Sequence, residues 1–335
     1  MHIIVFKNKK ILITGGTGSL GRALTKRLLV EEVDVIIIFS RNENKQVIMQ
    51  SEFNDDRLKF LIGDVRDLPR LQRALEGVDI VFHAAALKHV AIVEHNPLEA
   101  INTNVIGSMN LLEASISENV DTVIAVGTDK AVSPLNTYGV TKLLMEKLFT
   151  TVSNYLDTDR HKTKFISLRY GNVLGSSGSV IPKFIQQIKS KQKITITDPE
   201  MTRFNISMDE ALDFIIDSAI SGKGSEVFIP KLRAYKIGDM KTALHELIGN
   251  TGEEKIPVRQ GDKFHETLIN TDEMRTTLES TSKYVILPRE ISDQEINEQY
   301  PGYRRITLTK PYSSDTVEKI PINELKDALS KTGLI

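Results

Sequence analysis

The fold is decided by the stretch from Lys10 to Gly21, K-I-L-I-T-G-G-T-G-S-L-G. Its first five residues read as a short buried strand, and glycines follow at positions 15, 16, 18 and 21. Ala23, Leu24 and Leu28 then recur at the spacing of one helical face. A strand, a glycine turn and a helix in this order are the opening unit of a doubly wound parallel sheet.

The glycine turn is a candidate ligand site. Glycines let a backbone approach a pyrophosphate closely, and the pyrophosphate then meets the positive end of the helix. The spacing Gly15-x-x-Gly18-x-x-Gly21 differs by one residue from G-x-G-x-x-G, and the alternative is a glycine turn that holds no ligand. We expect a dinucleotide to contact these residues of the turn: Gly15, Thr17, Gly18, Ser19, Leu20 and Gly21.

The end of the next strand bears on which dinucleotide is bound. We predict this strand at Asp34 to Phe39, and an acidic residue after it would bind a ribose 2′-hydroxyl. The chain has Ser40, Arg41 and Lys45 instead, which suit a 2′-phosphate better. NADP is therefore favoured over NAD, although the nearby Glu43 keeps NAD as an alternative.

Further strands are predicted at Leu58–Ile62, Asp79–His83, from Val123 onward and at Lys164–Leu168. Their alternation with helices predicts a parallel sheet covered on both faces. Residues just past these strands are expected to line the cofactor site: Asp64, Val65, Ala84, Ala86 and Lys88. Asp64 either binds an adenine amino group or caps the helix that begins near Leu68, and Lys88 is alternatively a solvated loop lysine.

The stretch from Val123 to Lys142, V-I-A-V-G-T-D-K-A-V-S-P-L-N-T-Y-G-V-T-K, carries the candidate chemistry. Thr128-Asp129-Lys130 follows the predicted strand, so we expect these side chains to reach a crevice. Tyr138 and Lys142 are four residues apart and share one helical face. An ammonium beside the phenol would lower the tyrosine pKa, making Tyr138 a candidate base. The alternative is an ordinary surface pair with a packed ring.

The second half has a mixed pattern of short elements. We predict an NADP-binding domain at residues 1–178, to which later segments can return, a smaller mixed α/β substrate domain at 179–312, and a linker and helix at 313–335. Thr202-Arg203-Phe204 is predicted as an exposed turn, Ile256–Val258 as a strand, and Ser207 to Glu210 as a helix start with a capping box. The final helix is predicted from Ile322.

Composition excludes several classes of function. The 335 residues carry a formal net charge of -1 and contain no cysteine, which argues against a nucleic-acid surface, disulfides and thiolate chemistry. We expect no signal peptide and no membrane span, and therefore a cytoplasmic protein. His83, His89 and His95 are six residues apart, a spacing that suits no metal site, so no metal is expected.

Several motifs together resemble those of the extended short-chain dehydrogenase/reductases. They are T-G-G-T-G-S-L-G, G-D-V-R-D, H-A-A-A-L-K-H-V, T-D-K followed by Y-G-V-T-K, and R-Y-G-N-V-L-G-S-S-G-S-V-I-P-K-F. Within that group the chain is similar to the UDP-N-acetylglucosamine 4,6-dehydratases that invert C5, which make bacterial amino-sugar precursors. T-D-P-E-M-T-R-F and R-Q-G-D-K-F-H-E-T-L extend the resemblance over nearly the whole chain.

The resemblance implies roles for individual residues. Tyr138, assisted by Lys142, would take the C4 hydroxyl proton while tightly bound NADP⁺ accepts hydride and later returns it to C6. Lys130 would be the C5 base, Asp129 the acid for the departing C6 hydroxyl, and Thr128 would position the sugar. Substrate contacts are expected from these residues: Lys88, Asn172, Arg203, Arg259 and Glu266. The resemblance also implies a homo-oligomer, a dimer or a hexamer.

The sequence leaves some alternatives open. A UDP-sugar 4-epimerase needs Tyr138, Lys142 and the cofactor but no C5 base, and Lys130 argues against it. A non-catalytic NADP-sensing regulator could use the same fold. Asn205 and Gln260 depart from the residues common in relatives, which leaves the sugar identity open. An additional epimerisation at C3 is also open.

Overall fold

The computed structural model describes residues 3–157, 160–176 and 179–335. Residues 177 and 178, which include the predicted first domain boundary and part of the loop after Lys164–Leu168, lie outside the described residues. The strands are, in chain order, β1 (Lys10–Thr14), β2 (Val35–Ser40), β3 (Leu58–Ile62), β4 (Ile80–His83), β5 (Thr122–Val126), β6 (Lys164–Leu168), β7 (Asn172–Val173), β8 (Ile194–Ile196), β9 (Thr202–Ile206), β10 (Val227–Pro230), β11 (Ala234–Lys236), β12 (Glu253–Lys255), β13 (Thr267–Ile269), β14 (Thr277–Glu279), β15 (Lys283–Ile286), β16 (Arg304–Arg305) and β17 (Tyr312–Ser313).

The helices alternate with the strands in the first half of the chain. They are α1 (Ile3–Phe6), α2 (Ser19–Leu28), α3 (Glu43–Phe53), α4 (Leu68–Leu75), α5 (Val90–His95), α6 (Pro97–Ala100), α7 (Gly107–Ser117), α8 (Thr137–Thr151), α9 (Val180–Lys189), α10 (Met208–Ser221), α11 (Ile237–Ile248), α12 (Asp293–Gln299) and α13 (Ile322–Ser330). A π-helical segment, Ile101–Ile106, joins α6 to α7, and short 3₁₀ turns lie at Asp129–Ala131, Val152–Asn154 and Glu273–Thr276.

The main sheet has ten strands in the order β3-β2-β1-β4-β5-β6-β10-β15-β14-β16. The seven strands from β3 to β10 are parallel, and the last three are antiparallel. Strands from the second half of the chain therefore extend the first-half sheet. Three small sheets, β11-β9-β7, β12-β8 and β13-β17, cover its carboxyl edge with shorter elements. The expected fold class, a doubly wound parallel sheet of the Rossmann type, is confirmed.

Both faces of the parallel sheet are buried. Successive residues of a strand point to opposite faces. Accordingly, Ile11 and Ile13 belong to one apolar cluster while Leu12 between them belongs to the cluster on the other face. This is why the strands read as continuous β-branched runs rather than alternating ones. The chain order reverses between β1 and β4, so a crevice opens at the carboxyl ends of these neighbouring strands.

Two local predictions in the second half were wrong. Thr202-Arg203-Phe204 is not an exposed turn but the start of β9, where the Phe204 ring is 0% exposed. It pairs with both β7 and β11, and this pairing overrides the local turn signal. The strand predicted at Ile256–Val258 lies at Glu253–Lys255 instead. The Ile256 amide still donates to Ile196, but Pro257 has no N–H with which to continue the ladder.

Other local predictions were confirmed. The predicted capping box is present at the start of α10, where Ser207 and Glu210 bond reciprocally. The last helix begins at Ile322 as predicted. The segment before it is less exposed than a linker would be, because Ser313 and Ser314 are buried against β13.

Candidate active site

Two adjoining cavities lie at the carboxyl edge of the parallel strands. The larger, about 660 Å³, is called the cleft below, and the smaller, about 270 Å³, lies beside β2 and β3. The two share Gly15, Gly18, Ala84 and Ala86, so they are continuous across the glycine turn. An elongated ligand that crosses the turn would occupy both.

The glycine turn has the geometry that a dinucleotide requires. Gly15 has a φ of 66°, and a Cβ on it would lie 2.9 Å from the Ala85 backbone. A Cβ on Gly21 would lie 2.5 Å from Gly16, so glycine lets α2 pack close to the turn. Helix α2 begins at Ser19, directly after this turn. The turn therefore offers an unobstructed backbone and a helix N-terminus, which suit a pyrophosphate.

All the residues expected to bind the cofactor line one of the two cavities. In addition to the four shared residues, the smaller cavity is lined by Thr17, Ser40, Arg41, Lys45, Asp64 and Val65. The cleft is lined by Ser19, Leu20, Gly21, Lys88, Tyr138 and Lys142. Lys88 is an exposed residue, as the alternative of a loop lysine predicted, but it also lines the cleft, and partial burial lowers its pKa.

Asp64 does not cap the helix that follows it. The cap of α4 is Asp67, whose side chain accepts from the Arg70 amide. The Asp64 carboxylate is bound by Arg66 at 2.8 Å and lies 3.7 Å from an Arg41 nitrogen. Although burial opposes its ionisation, the hydrogen bonds from Arg66 hold the pKa of Asp64 below its usual value. Asp64 thus presents a carboxylate at the wall of the smaller cavity.

Tyr138 and Lys142 lie on the first two turns of α8, with both side chains buried. Asn136 places the start of this helix: its Oδ1 accepts from the Gly139 amide at 2.8 Å, and its Nδ2 donates to the Gly261 carbonyl at 2.9 Å. Helix α8 is thereby fixed to the polar turn Arg259–Lys263, which also lines the cleft.

The expected effect of Lys142 on Tyr138 is wrong for this structure. The Lys142 ammonium donates to the Val126 carbonyl at 2.7 Å and contacts the Met145 sulfur at 3.1 Å. Burial raises the pKa of Tyr138 to about 12, and the groups that oppose this rise are Lys130 and the Thr128 hydroxyl. Burial also lowers the pKa of Lys142 to about 7, partly offset by Glu146.

The segment after β5 forms a 3₁₀ turn that directs its side chains in two ways. Thr128 and Lys130 line the cleft, whereas the Asp129 side chain is 1% exposed and lies beneath them. Asp129 was expected to reach the crevice itself, and it does not. Its Oδ1 accepts from the Thr128 hydroxyl at 2.9 Å and from the Lys130 ammonium at 3.0 Å.

Residues from distant segments complete this cluster. The Lys130 ammonium lies 3.3 Å from Glu266 Oε1 and 3.4 Å from Asn172 Oδ1. Glu266 Oε1 is also 3.8 Å from Arg203 Nε, which extends from β9. The structure therefore brings Thr128, Asp129 and Lys130 together with three of the predicted substrate contacts. Tyr138 joins this cluster through a hydrogen bond with Thr128, and Lys142 lines the same cleft without a contact to the cluster among the described residues.

The charges of the cluster shift its proton affinities in opposite directions. Burial raises the pKa of Asp129, and Glu266 raises it further, against the influence of Lys130. Burial disfavours the charge of Lys130, but Asp129 and Glu266 offset this, so the lysine pKa is raised. Burial likewise opposes ionisation of Glu266, yet the three neighbouring cations Lys130, Arg203 and Lys263 hold its pKa below normal. Carboxyl groups with pKa values moved apart are typical of acid–base pairs.

The remaining predicted substrate contacts, Lys88 and Arg259, also line the cleft. Arg259 lines the cleft from its exposed turn, close enough to Lys183 of α9 to lower the pKa of that lysine, to which burial contributes most. Arg203 and Arg259 both line the cleft, and their guanidinium groups suit phosphate groups.

Three residues of the site were not foreseen from the sequence. Lys263 donates to the Val132 carbonyl and is a further cation facing Glu266. Tyr235 is hydrogen-bonded to Asn172. The Ser314 hydroxyl accepts from the Glu266 amide at 2.9 Å, while the Ser314 amide donates to the Glu266 carbonyl at 2.8 Å. Each acts through a contact between distant segments, so no local pattern could have indicated it.

The histidines do not form a metal site. His83 is buried between Thr14 and Ser108, with its two ring nitrogens 2.7 Å and 2.9 Å from their hydroxyl oxygens. Burial lowers the pKa of His83 to about 3, so it is a neutral structural group. Within the described ranges no group of three or more histidine, aspartate or glutamate side chains could hold a metal ion. None of the described helices is long and apolar enough to cross a membrane.

Comparison with known proteins identifies the family. Residues 11–288 match the family model described as polysaccharide biosynthesis protein. The chain is 43% identical over 294 residues to a UDP-N-acetylglucosamine 4,6-dehydratase (inverting) of Campylobacter jejuni, covering 87% of this chain and 86% of that one. It is 40% identical over 331 residues to a protein named UDP-glucose 4-epimerase from Rickettsia felis, covering 97% and 96%.

Solved structures show the same architecture. The X-ray structure of Pen from Bacillus thuringiensis matches with a TM-score of 0.91 at 36% identity, covering 99% of this chain and all of that one. A dTDP-glucose 4,6-dehydratase from Streptomyces venezuelae matches with a TM-score of 0.69 at 20% identity, covering 90% and 93%, which supports the fold alone. The chain therefore belongs to the polysaccharide biosynthesis protein family of extended short-chain dehydrogenase/reductases, alongside the inverting UDP-N-acetylglucosamine 4,6-dehydratases.

Proposed function

We propose that this protein is a UDP-N-acetylglucosamine 4,6-dehydratase that inverts C5 and yields a UDP-4-keto-6-deoxy-L-N-acetylhexosamine. The observation that carries the proposal is the Lys130 ammonium in the cleft, 3.0 Å from Asp129 and 3.3 Å from Glu266. An elimination needs an acid and a base beside the sugar, whereas oxidation and reduction at C4 alone need neither of these carboxylates. The 43% identical relative of that name supports the same substrate and reaction.

The two cavities fit a nicotinamide dinucleotide, with NADP preferred over NAD. When bound, the dinucleotide accepts the C4 hydride and returns it to C6, so it is recycled and no external reductant is used. The glycine turn would hold the pyrophosphate. Arg41, Lys45 and Ser40 line the smaller cavity, where two cations and a hydroxyl suit a 2′-phosphate. Asp64 at the same wall would accept a hydrogen bond from the adenine amino group.

Tyr138 takes the proton of the C4 hydroxyl in this proposal, and Lys142 would assist it by turning its ammonium away from the Val126 carbonyl. Because burial holds the tyrosine pKa at about 12, ionisation depends on the groups that stabilise a phenolate. In the described structure these are Lys130 and the Thr128 hydroxyl, both at the cleft wall. Thr128 therefore has two roles in this proposal: it positions the sugar and it stabilises the Tyr138 phenolate.

The elimination step uses the neighbouring pair. Transfer of the ammonium proton of Lys130 to Asp129 Oδ1, 3.0 Å away, leaves a neutral lysine that removes the C5 proton. The protonated Asp129 then supplies a proton to the departing C6 hydroxyl by way of the Thr128 hydroxyl, which contacts Asp129 and lines the cleft, and the C6 hydroxyl leaves as water. The buried Asp129 retains a proton more readily than an ordinary aspartate, as an acid should. Reprotonation of C5 from the other face then inverts that centre.

Substrate contacts are assigned from the cleft wall. Arg203 and Arg259 face the diphosphate, for which their planar guanidinium groups are suited. We assign Lys88, Asn172 and Glu266 to the sugar, and in support all three line the cleft that contains Tyr138. Whether C3 is also epimerised is not part of the proposal.

A UDP-sugar 4-epimerase is the second candidate. Its support is the 40% identity over 331 residues to the Rickettsia felis protein of that name. A 4-epimerase would use Tyr138, Lys142 and the cofactor, but the Asp129–Lys130–Glu266 cluster would have no role in its reaction. A non-catalytic NADP-sensing regulator is a third possibility, and the retained Tyr138 and Lys142 argue against it.

We also propose a cytoplasmic homo-oligomer, either a dimer or a hexamer. Apolar side chains are exposed along the helices from α6 to α8: Leu98, Ile101, Ile106, Met109, Val140 and Leu144. An apolar surface of this extent on neighbouring helices is typical of an interface between subunits.

The test is incubation of the purified protein with UDP-N-acetylglucosamine in D₂O, followed by mass spectrometry and proton NMR. We expect loss of one water, deuterium at C5 and inverted geometry at that carbon. An unchanged mass with a galacto product would establish the epimerase instead. Bound NADP without any turnover of this sugar nucleotide or of UDP-glucose would favour the sensor.

A further inference from the structure

We propose that Glu266 is a positioning residue for the reaction, one that sets the charge state of the Asp129–Lys130 pair and thereby the pH range in which the pair works. The consequence for turnover rests on the proposed function and deepens it. The consequence for the pKa of Lys130 does not rest on it, because that consequence follows from contacts within the protein.

The first step is the placement of the Glu266 carboxylate. Its side chain is 3% exposed and its Oε1 lies 3.3 Å from the Lys130 ammonium. Asp129 Oδ1 lies 3.0 Å from the same ammonium, so Lys130 contacts two carboxylates that come from segments more than a hundred residues apart. One of them, Asp129, is its chain neighbour, and the other is supplied only by the fold.

The second step is the rigidity of Glu266. Its amide donates to the Ser314 hydroxyl and its carbonyl accepts from the Ser314 amide and the Ser313 hydroxyl. Three hydrogen bonds with Ser313 and Ser314, at the buried start of the C-terminal segment, therefore hold the backbone of Glu266 in place. A carboxylate on so constrained a backbone keeps its distance from Lys130, as a positioning residue must.

The third step is the full set of charges that face the cluster. Arg203 from β9 and Lys263 from the polar turn face Glu266, and Arg203 also faces Lys130. Tyr138 from α8 and Tyr235 from β11 face Lys130 and Asp129. Among these groups Glu266 is the carboxylate that raises the proton affinity of both Asp129 and Lys130.

The sign of the effect follows directly. A negative charge near Lys130 favours the ammonium, and the same charge near Asp129 disfavours the carboxylate. Replacing Glu266 by a neutral group therefore lowers the pKa of both members of the pair. An opposite charge within about 4–6 Å shifts a pKa by about 1 to 3 units, so the expected displacement is measurable.

The experiment compares wild type with Glu266→Gln by labelling with acetic anhydride over a range of pH. Lys130 lines the cleft with its side chain 23% exposed and reacts only as the neutral amine. Mass spectrometry of the Lys130 peptide gives the midpoint. We expect the midpoint to fall by about 1 to 3 units in Glu266→Gln. Equal midpoints in the two proteins would overturn the inference.

A matched control is Glu226→Gln. Glu226 is also buried, 0% exposed against 2% for Glu266, but it contacts the amides of Lys223 and Gly224 and the Tyr300 hydroxyl. It should leave the Lys130 midpoint unchanged. If Glu266→Gln fails to fold, Glu266→Asp, which withdraws the charge by one methylene, must still lower the midpoint, and an unchanged value there would equally refute the inference.

Turnover provides the second readout and separates the two proposals. If wild type dehydrates UDP-N-acetylglucosamine, we expect both limbs of the pH–rate profile of Glu266→Gln to move to lower pH. A profile that falls in height without moving would mean that Glu266 has only a structural or binding role. If wild type shows no dehydration but the labelling midpoint falls in Glu266→Gln, the proposed function fails while the charge-setting role of Glu266 stands.

Discussion

The cofactor side of the cleft and its acid–base side are built in different ways. The glycine turn comes from one continuous stretch, Lys10 to Gly21, in which strand, turn and helix follow one another. The acid–base cluster joins the segment after β5 to Asn172, Arg203 and Glu266, residues that are 42 to 136 positions from Lys130. The first region is a local motif, whereas the second exists only because the second half of the chain folds over the sheet edge.

This difference has a consequence for what each side can tolerate. A local motif depends on backbone conformation, so its weak points are glycines. An assembled cluster depends on the distances between charges, so its weak points are single ionisable side chains. The following predictions test whether the two regions respond in these different ways.

The largest effect is expected from Lys130→Met. Removing the C5 base should reduce dehydration of UDP-N-acetylglucosamine by roughly 10²- to 10⁴-fold, because a positioned acid or base contributes that much to a rate. Oxidation at C4 should persist, visible as reduced nicotinamide that accumulates on mixing with substrate. Lys147→Met on the far part of α8 is the control. Dehydration at the wild-type rate in Lys130→Met would remove the cluster from the mechanism.

Gly15→Ala tests the cofactor side. Its φ of 66° strains any side chain, and a Cβ would lie 2.9 Å from Ala85, so we expect loss of most dinucleotide affinity as well as stability. Gly302→Ala is matched in φ, 85°, with no atom within 4 Å of the new Cβ. It should cost only about 1 kcal/mol of unfolding free energy. Calorimetric titration measures the affinity of each variant for NADP. Equal NADP affinities in Gly15→Ala and Gly302→Ala would contradict a role of the glycine turn in binding the dinucleotide.

A third prediction concerns the stability contributed by His83, whose buried ring is hydrogen-bonded to Thr14 and Ser108. Its pKa is about 3 in the fold, below the unfolded value of 6.5, so the unfolded state binds more protons between these limits. Stability from this group is therefore complete above about pH 6.5 and falls as the pH drops toward 3. We expect a loss of about 2 kcal/mol by pH 5, from urea unfolding. His83→Gln should flatten this dependence, whereas the exposed His95→Gln should not.

Arg41→Ala should give the smallest effect. If Arg41 binds a 2′-phosphate, the ratio of NADP to NAD affinity should fall by about tenfold, the equivalent of about 1.4 kcal/mol. Arg66→Ala is the matched control, since Arg66 also binds Asp64 but does not line the smaller cavity. If the ratio of NADP affinity to NAD affinity in Arg41→Ala equals that of wild type, the preference for NADP would lose its support.

Much of the fold could be predicted because short segments of the sequence indicate individual strands. The strands at Lys10–Thr14, Leu58–Ile62 and Lys164–Leu168 have their predicted bounds, since short runs rich in apolar residues are local signals. Thr202-Arg203-Phe204 was misjudged for the opposite reason. Its strand depends on partners at β7 and β11, and a turn-like composition cannot reveal them.

The sequence by itself determined the parallel strands of the first half, the glycine turn and most of the groups that enter the cleft. The tertiary structure alone decided how those groups hold their protons. It turned Lys142 toward Val126, buried Asp129 beneath Lys130, and brought Glu266 within 3.3 Å of the same lysine. Proton affinity depends on burial and on the distances between charges, and distances between remote segments are fixed only when the chain has folded.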